Sequence, residues 1–460
     1  MTSIRTAALI AALPFALLAG TAHAETATPS AALTQQLRQI VDDPAIPLAS
    51  LSVVAIRGGK VVYRRQFGDK RIASGELPAL PADRNTMYRI ASVSKMVTAM
   101  GVLKLVEQGK LALDTDVGAY LGYSLRNPHF PDQAITLRML MSHTASLRDD
   151  AGYSWDGKVM LKDVLVPGGT MYGTGAMWAK NAAPGAYFSY CNLNWGIIGT
   201  IMERVTGERF DRLMRRLIFA PMGLHAGFNP VDFSAAEVQD LATLYRKRTT
   251  DDKEIWNSKG PWIAQTDDYS VQPPKLRPGA LEYVPGNNGT LFGPQGSLRA
   301  SADDLARLMR MLMHRGMHGK LQILKSESVD LMLTRQWTHD PKANNGDTYR
   351  GLFNAWGLGM QHFQDISAPG QNGVPAGDRL VDSGGLRAVG HLGDAWGLKS
   401  AFVIDPITRN GMIYLIGGPG ADPEENRGKY SSHYRFEEQV LSALYRHMLA
   451  PPPAPQNAPK

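Results

Sequence analysis

Alternating apolar and β-branched residues mark a pair of strands near each end of the chain. Residues 51–67 (LSVVAIRGGKVVYRRQF) place strand-forming residues on both sides of Gly58 and Gly59, which is typical of a tight hairpin. Residues 399–418 (KSAFVIDPITRNGMIYLIGG) repeat this arrangement around two turn signals. Strands at both ends, with helices between them, predict one sheet to which both ends of the chain contribute.

Three segments between these strand pairs have helical patterning: 96–110, 193–207 and 301–316. The first is apolar on nearly every side, which predicts a buried helix that Gly109 can end. In the third, Ser301 and Asp304 resemble a capping box at the helix start. We therefore expect a largely helical middle of the chain.

The sequences at both ends of the chain are typical of segments that do not belong to a folded domain. Residues 1–24 contain Arg5, a short apolar run and a small-x-small pattern, which predicts a secretory signal peptide removed after Ala24. The apolar run is shorter than the roughly 20 residues of a spanning helix, so we expect no stable membrane span. The proline-rich residues 450–460 predict a disordered tail.

The composition indicates what kind of protein this is and where in the cell it is expected. With 44% hydrophobic and 20% charged residues the chain has an ordinary globular balance. The formal charge is +7, but basic residues are interleaved with acids, so we expect no nucleic-acid partner. The single cysteine, Cys191, excludes an intrachain disulfide. Export without disulfides predicts a secreted protein of the bacterial periplasm.

Ser92 and Lys95 are the first candidates for chemistry, in the segment RIASVSKMVTAM. A spacing of three at a helix start puts both side chains on one face, within reach of each other. A hydroxyl becomes a strong nucleophile when a base removes its proton, and a lysine can be that base if burial lowers its pKa. The alternative is that Ser92 only caps the helix, and these four residues alone do not decide between the two.

Two further motifs follow in a characteristic order. Tyr190 and Asn192 form a Y-x-N sequence before a predicted helix, and His391 and Gly393 form an H-x-G sequence before a strand. This layout resembles the serine β-lactamase-related superfamily, in the branch of class C β-lactamases, D,D-peptidases, D-aminopeptidases and esterases. Segments such as LVEQGKLALDTDV, ITLRMLMSHTASL and SADDLARLM extend the resemblance over about residues 47–449.

The resemblance implies an α+β fold, in which an antiparallel β-sheet is flanked by helices and an all-helical lobe is inserted into it. It also implies one catalytic domain over residues 25–449. An α/β lobe would comprise about 47–95 and 300–449, and the helical lobe about 96–300.

An acyl-enzyme mechanism is implied as well. Ser92 would attack a carbonyl, and Lys95 with Tyr190 would pass the proton to the leaving group and later activate water. Asn192 would hydrogen-bond the substrate amide and Lys95. The backbone N–H groups of Ser92 and Asp394 would form the oxyanion hole. We expect no cofactor and no metal, because no cluster of His, Cys and acidic residues has metal-ligand spacing.

The third motif departs from the Lys-Thr-Gly of true class C β-lactamases, because His391, Leu392 and Gly393 stand at those substrate-binding places. Histidine there is familiar among the peptidases and esterases of the superfamily. Leu392 cannot give a substrate carboxylate the hydrogen bond of a threonine, worth about 1.5–3 kcal/mol. Neutral esters, amides or amino-terminal substrates are therefore favoured, unless Lys399 or an arginine substitutes. Asp394 would oppose a developing negative charge unless it points away or pairs with a cation.

Several nearby residues have structural interpretations. We expect His143 to be a hydrogen-bonding residue and Cys191 a small buried filler, since no base partner for the thiol is recognisable. Ser146 stands where the family usually has glycine, which costs about 1 kcal/mol if that site needs a positive φ. Trp356 and Trp396 fit either a cleft lining or a core.

Three functions are compatible with these residues. The first is an exported serine hydrolase of esters or amides, with D-amino-acid-containing peptides among its candidate substrates. The second is a true β-lactamase, which differs in the third motif. The third is a pseudoenzyme that binds cell-wall fragments, against which the retained Lys95 and Tyr190 argue. In each case the expected partner is a small molecule or peptide.

Overall fold

The computed structural model describes residues 28–249 and 255–451. The predicted signal peptide, residues 1–24, and nearly all of the proline-rich tail lie outside these ranges. Within them, no helix combines the length and the apolar composition that crossing a membrane would require.

The described residues form eleven α-helices and fifteen β-strands. The helices are α1 (Pro29–Val41), α2 (Val93–Glu107), α3 (Gly118–Leu121), α4 (Leu137–Met141), α5 (Leu161–Leu165), α6 (Leu193–Thr206), α7 (Phe210–Met214), α8 (Ala235–Gln239), α9 (Ala302–Met313), α10 (Ser326–Leu333) and α11 (Arg435–Leu444). The strands are β1 (Ser50–Arg57), β2 (Lys60–Arg71), β3 (Leu80–Pro81), β4 (Met87–Arg89), β5 (Leu244–Arg246), β6 (Ile263–Thr266), β7 (Arg299–Ser301), β8 (Met317–His318), β9 (Leu321–Gln322), β10 (Trp337–Thr338), β11 (Ala355–Trp356), β12 (Gln361–Phe363), β13 (Ala388–Ala395), β14 (Leu398–Asp405) and β15 (Asn410–Ile416).

Nine strands make one antiparallel sheet, in the order β10-β11-β12-β13-β14-β15-β1-β2-β3. Gly58 and Gly59 join β1 to β2 with φ values of 55° and 79°, as a two-residue hairpin turn requires. Strand β1 pairs with β15, with Leu51 opposite Ile416, so the two ends of the chain meet within the sheet. The predicted α+β fold, with a sheet built from both ends, is confirmed.

Helices cover the central strands on both faces. In β1, Val53 and Ala55 enter a core that also contains residues of α1 and α11, whereas Val54 and Ile56 enter the core of α2, α6 and α9. Water is excluded from both sides, which explains why β1 is buried from Ser50 to Ile56.

The predicted end of α2 at Gly109 and the predicted start of α9 are both observed, and a glycine also ends α6. Gly109 and Gly207, with φ values of 68° and 69°, follow the ends of α2 and α6. Helix α9 begins with the expected capping box, in which the Asp304 N–H donates to Ser301 Oγ at 3.1 Å. Helix α2 contacts β13, β14 and α6, so its N-terminus lies between the sheet and the helical region.

Candidate active site

Ser92 lies where β4 passes into α2. The preceding residue, Ala91, has a φ of 48°, and this positive value turns the chain from the strand into the helix. Ser92 occupies the N-cap position, but its side chain accepts no hydrogen bond from a backbone N–H of the helix. Its Oγ instead lies 3.0 Å from Lys95 Nζ, one turn further along α2. Ser92 therefore stands at the N-cap position of α2, but its side chain does not cap the helix.

Lys95 is held by three acceptors and has no exposed surface. Its Nζ donates to Ser92 Oγ at 3.0 Å, to Asn192 Oδ1 at 2.7 Å and to the Gln295 carbonyl at 3.0 Å. Burial lowers the pKa of Lys95 to about 7, although the Asp149 carboxylate acts in the opposite direction. A substantial fraction of the amine is consequently unprotonated near neutral pH.

Tyr190 packs over this pair. Lys95 Nζ lies 4.9 Å from the centre of the tyrosine ring, and the hydroxyl hydrogen-bonds to Ser92. The ring stacks on His143 at 4.6 Å and on Phe353 at 5.2 Å between ring centres. Burial raises the pKa of Tyr190 above its usual range, so the phenol keeps its proton at neutral pH.

Asp149 is a site residue that the sequence analysis missed. Its carboxylate accepts the backbone N–H groups of Asn192 and Leu193, both at 2.9 Å, and so caps α6. It also accepts from the Asn192 side-chain amide at 2.8 Å. This bond fixes the amide with its oxygen towards Lys95. No local pattern indicates such a role, because the partners are 43 residues apart in the chain.

His143 and Cys191 have the structural contacts expected of them. The Cys191 backbone N–H donates to His143 Nδ1 at 3.0 Å, and burial lowers the pKa of His143 well below its usual range. The imidazole is therefore neutral and supports the Tyr190 ring. Burial raises the pKa of the Cys191 thiol, whose Sγ lies 3.3 Å from Asp149 Oδ1, so the thiol stays protonated.

The third motif lies on β13. Gly393 has to be a glycine, since a Cβ there would lie 2.3 Å from Ser400 Oγ and 2.6 Å from the Ile90 carbonyl. This close approach brings β13 against the segment that carries Ser92. His391 is buried, and its Nδ1 lies 2.5 Å from the Leu392 carbonyl. Burial, with a smaller contribution from Lys95, lowers the pKa of His391 to about 3, so this histidine is neutral.

Asp394 pairs with Lys399, at 2.5 Å between Oδ2 and Nζ. The Lys399 ammonium also lies 4.2 Å from the centre of the Tyr434 ring. Asp394 thus pairs with a cation, which is one of the two conditions under which its carboxylate would not oppose a nearby negative charge. The same contact neutralises the Lys399 charge, so Lys399 offers a substrate carboxylate beside Leu392 only a cation that it would share with Asp394.

A cleft of about 550 Å³ unites these residues. Of the predicted site residues it is lined by Ser92, Tyr190, Asn192, His391, Gly393 and Asp394, with Lys95 directly behind Ser92. Trp396 is 49% exposed at this cleft, whereas Trp356 is fully buried in the core. Within the described ranges, no three His, Cys, Asp or Glu side chains converge as metal ligands would.

The fold and this serine–lysine arrangement define a class of protein, the serine hydrolases with an S-x-x-K motif. The chain belongs to the β-lactamase family, because the family model described as Beta-lactamase matches residues 33–433. The resemblance read from the sequence motifs is confirmed.

Known proteins similar to this chain include two from bacteria and one solved structure. A putative D-alanyl-D-alanine carboxypeptidase of Escherichia coli (strain K12) is 24% identical over 425 residues, which cover 87% of this chain and 86% of the relative. Penicillin-binding protein 4* of Bacillus subtilis (strain 168) is 28% identical over 178 residues, 38% of this chain and only 36% of that relative's length. The structure of EstCE1, a hydrolase with promiscuous acyltransferase activity, has a TM-score of 0.60 at 22% identity, covering 91% of this chain and 98% of that one.

Proposed function

We propose that this protein hydrolyses an ester or an amide through an acyl-enzyme formed on Ser92. The observation that carries this proposal is the buried Lys95, whose amine touches Ser92 Oγ and has a pKa lowered to about 7. A lysine with that pKa accepts a proton near neutral pH, which is what activation of a serine requires.

The proposed proton path uses the contacts around Ser92. Ser92 Oγ bonds to the substrate carbonyl carbon while its proton passes to the neutral Lys95 amine. Tyr190, a protonated phenol, gives its proton to the leaving alcohol or amine and regains one from Lys95. Water then attacks the acyl-enzyme by the reverse path, releasing the acid and restoring Ser92.

Two backbone N–H groups and one amide complete the proposed site. The N–H groups of Ser92 and Asp394 would bind the developing oxyanion, and the Asp394–Lys399 pair limits the opposing charge beside it. Asn192, oriented by Asp149, would hold the substrate amide. His391 and Gly393 would form the cleft wall along which the substrate lies.

Neutral esters and amides are the proposed substrates, including peptides that contain D-amino acids. Leu392 has no hydrogen-bonding group, and Lys399 is already paired with Asp394. One relative is described as a putative D-alanyl-D-alanine carboxypeptidase, which supports D-peptides as members of the test panel.

A β-lactamase is the second candidate. It is favoured by Arg350, which lines the cleft and would provide a cation for a β-lactam carboxylate. Nitrocefin hydrolysis at ordinary enzymatic turnover, reduced by Arg350→Gln, would support this candidate, whereas stoichiometric acylation without turnover would count against it.

The decisive experiment is covalent labelling followed by a substrate panel. A fluorophosphonate probe is expected to form one adduct on Ser92 by mass spectrometry, absent in Ser92→Ala. Ser94→Ala is the matched control, since the Ser94 hydroxyl accepts the Leu298 backbone N–H at 3.2 Å, and it should still be labelled. Hydrolysis of p-nitrophenyl esters, D-amino-acid amides, D-Ala-D-Ala peptides and nitrocefin then ranks the substrates. Binding without labelling or turnover would favour the pseudoenzyme instead.

We also propose export to the periplasm and a single catalytic domain over residues 25–449. The first rests on the N-terminal sequence pattern and the second on the family resemblance. Expression with the native N-terminus, followed by N-terminal sequencing of the periplasmic fraction, should give a chain that begins at Glu25. A chain retained in the cytoplasm with its N-terminus intact would refute export.

A further inference from the structure

A second cavity, of about 200 Å³, lies beside the active-site cleft and has no part in the proposed mechanism. Four cationic side chains but only one carboxylate line it: Arg89, Lys275, Arg277, Arg299 and Asp267. Arg89 also lines the active-site cleft, so the two cavities share part of a wall. The lining thus has an excess of positive charge.

Strand pairing places two of these cations together. Strands β4 and β7 pair so that Arg89 lies directly opposite Arg299. Side chains opposite each other in an antiparallel pair share a face, and like charges there destabilise the pair. Asp267 compensates Arg299, from which it accepts two hydrogen bonds at 2.6 and 3.0 Å. Among the described residues no carboxylate hydrogen-bonds to Arg89, whose guanidinium lies 5.7 Å from the centre of the Trp396 ring.

Arg89 and Arg277 hydrogen-bond only to uncharged groups in the described part of the chain. Arg89 donates to the Gly296 carbonyl and to the Ser297 hydroxyl, both at 3.2 Å. Arg277 Nη1 donates to the Leu291 carbonyl at 2.8 Å. A guanidinium has five N–H donors, so each side chain retains donors for a ligand.

The electrostatics agree with this geometry. Burial, and then the neighbouring Arg299, lower the pKa of Arg89 to about 10. Arg277 is an exposed residue. A lowered pKa means that the positive charge is disfavoured where it stands. A bound anion would remove that penalty.

We propose that this cavity is a binding site for a small oxyanion of the phosphate or sulfate type, held between the guanidinium groups of Arg89 and Arg277. The planar fork of a guanidinium matches two oxygens of such an anion. Lys275, an exposed residue, adds a third cation to the lining, and the buried Arg299, held by Asp267, adds a fourth. The oxyanion is either free in solution or part of a substrate that extends from the cleft past Arg89.

Binding of inorganic phosphate tests the site independently of catalysis. We expect calorimetry on the full-length Ser92→Ala protein, at constant ionic strength, to give a dissociation constant of about 1 mM or lower. Arg277→Gln should weaken phosphate binding roughly tenfold or more, because a charge-assisted pair of hydrogen bonds is lost. Failure of the proposed hydrolase activity would leave this result unaffected.

Arg307→Gln is the matched control, since Arg307 is a partly exposed arginine that donates to the Gly223 carbonyl at 2.9 Å and does not line the cavity. It should change phosphate binding less than about twofold. If Arg277→Gln fails to fold, Lys275→Gln should still weaken binding severalfold. Absence of phosphate binding, or binding that neither the Arg277 nor the Lys275 variant weakens, would overturn the proposal.

Kinetics of the wild-type enzyme separate the two sources of the anion. Two p-nitrophenyl esters are compared, one with a neutral acyl chain and one whose chain ends in a carboxylate. If the site takes a substrate group, phosphate should raise the KM of the anionic ester alone. If it takes a free anion, phosphate should not compete with either ester. Once calorimetry has shown that phosphate binds, the first result assigns a substrate group to the site and the second assigns a free anion.

Discussion

Replacement of Lys95 by methionine removes a charge from the protein interior and keeps a side chain of similar length. Lys95 has no exposed surface, and its pKa falls from 10.5 in the unfolded chain to about 7 in the folded protein. Between pH 7 and pH 10.5, Lys95 is protonated in the unfolded chain and unprotonated in the folded protein. The folding penalty from Lys95 therefore grows as the pH falls from 10.5 towards 7 and is constant below that.

The size of this penalty follows from the two pKa values. At about 1.36 kcal/mol for each pKa unit, their difference amounts to about 5 kcal/mol at pH 7 and below. Methionine leaves Ser92, Asn192 and the Gln295 carbonyl without their donor, which costs about 3 kcal/mol in all. We expect Lys95→Met to be about 2 kcal/mol more stable than the wild type at neutral pH and less stable above about pH 8.5.

Urea unfolding of both proteins between pH 6.5 and 9.5 measures this change of sign. Lys104→Met, also on α2, is the control, because Lys104 is partly exposed and pairs with Glu107 at 3.3 Å. That variant should gain no stability at any pH. A stability difference between wild type and Lys95→Met that does not vary with pH would refute the reasoning.

The same substitution tests catalysis. Acylation of Ser92 should slow about 10²–10⁴-fold in Lys95→Met, because the general base is lost. In the wild type, kcat/KM should rise with pH up to about 7 and then level off, because the lysine with that pKa must be unprotonated to act. A profile without a change of slope near that pH would contradict the role of Lys95.

Three other substitutions test single contacts. Gly393→Ala should slow acylation by roughly 10²-fold, because its Cβ would collide with atoms that fix the Ser92 segment. Gly296→Ala is the control and should have a much smaller effect, since its Cβ would meet nothing closer than 3.7 Å. Equal effects of the two variants in a labelling time course would count against this reasoning. Lys399→Met should slow acylation roughly tenfold, because it leaves the Asp394 carboxylate unpaired. Adding Asp394→Asn to this variant should restore most of the acylation rate. A double variant no faster than Lys399→Met would argue against the charge effect. Ser146→Gly should relieve about 1 kcal/mol of backbone strain but lose two hydrogen bonds of about 1 kcal/mol each. The Tm of this variant should therefore fall by a few degrees. An increase in Tm would mean that the backbone strain outweighs the two hydrogen bonds.

Ser146 also shows how far local sequence rules reach. The family's usual glycine raised the question of a positive φ at this position, and Ser146 does have a φ of 63°. The rule did not predict the compensation, in which Ser146 Oγ accepts from Asn127 Nδ2 at 2.6 Å and donates to the Ala182 carbonyl. Those partners come from other parts of the chain, so no local pattern contains them.

The α2 segment illustrates the same limit. Its apolar composition predicted a buried helix, and the spacing of three predicted that Ser92 and Lys95 would meet, because both follow from helix geometry over a few residues. The identity of the other groups around Lys95 depends on chain segments that are 97 and 200 residues away. The packing of these distant segments buries the amine completely, and this burial lowers the pKa of Lys95.

The sequence by itself determined the strand pairs at the two ends, the helices between them and the three motifs that carry the family resemblance. These features depend on periodicity, turn residues and short spacings, which act between near neighbours in the chain. Only the tertiary structure decided that Asp149 orients Asn192, that Lys399 compensates Asp394 and that Arg89 faces Arg299 across a strand pair. Electrostatic and hydrogen-bonding partners are chosen by proximity in space, and that proximity exists only once the sheet and helices have packed.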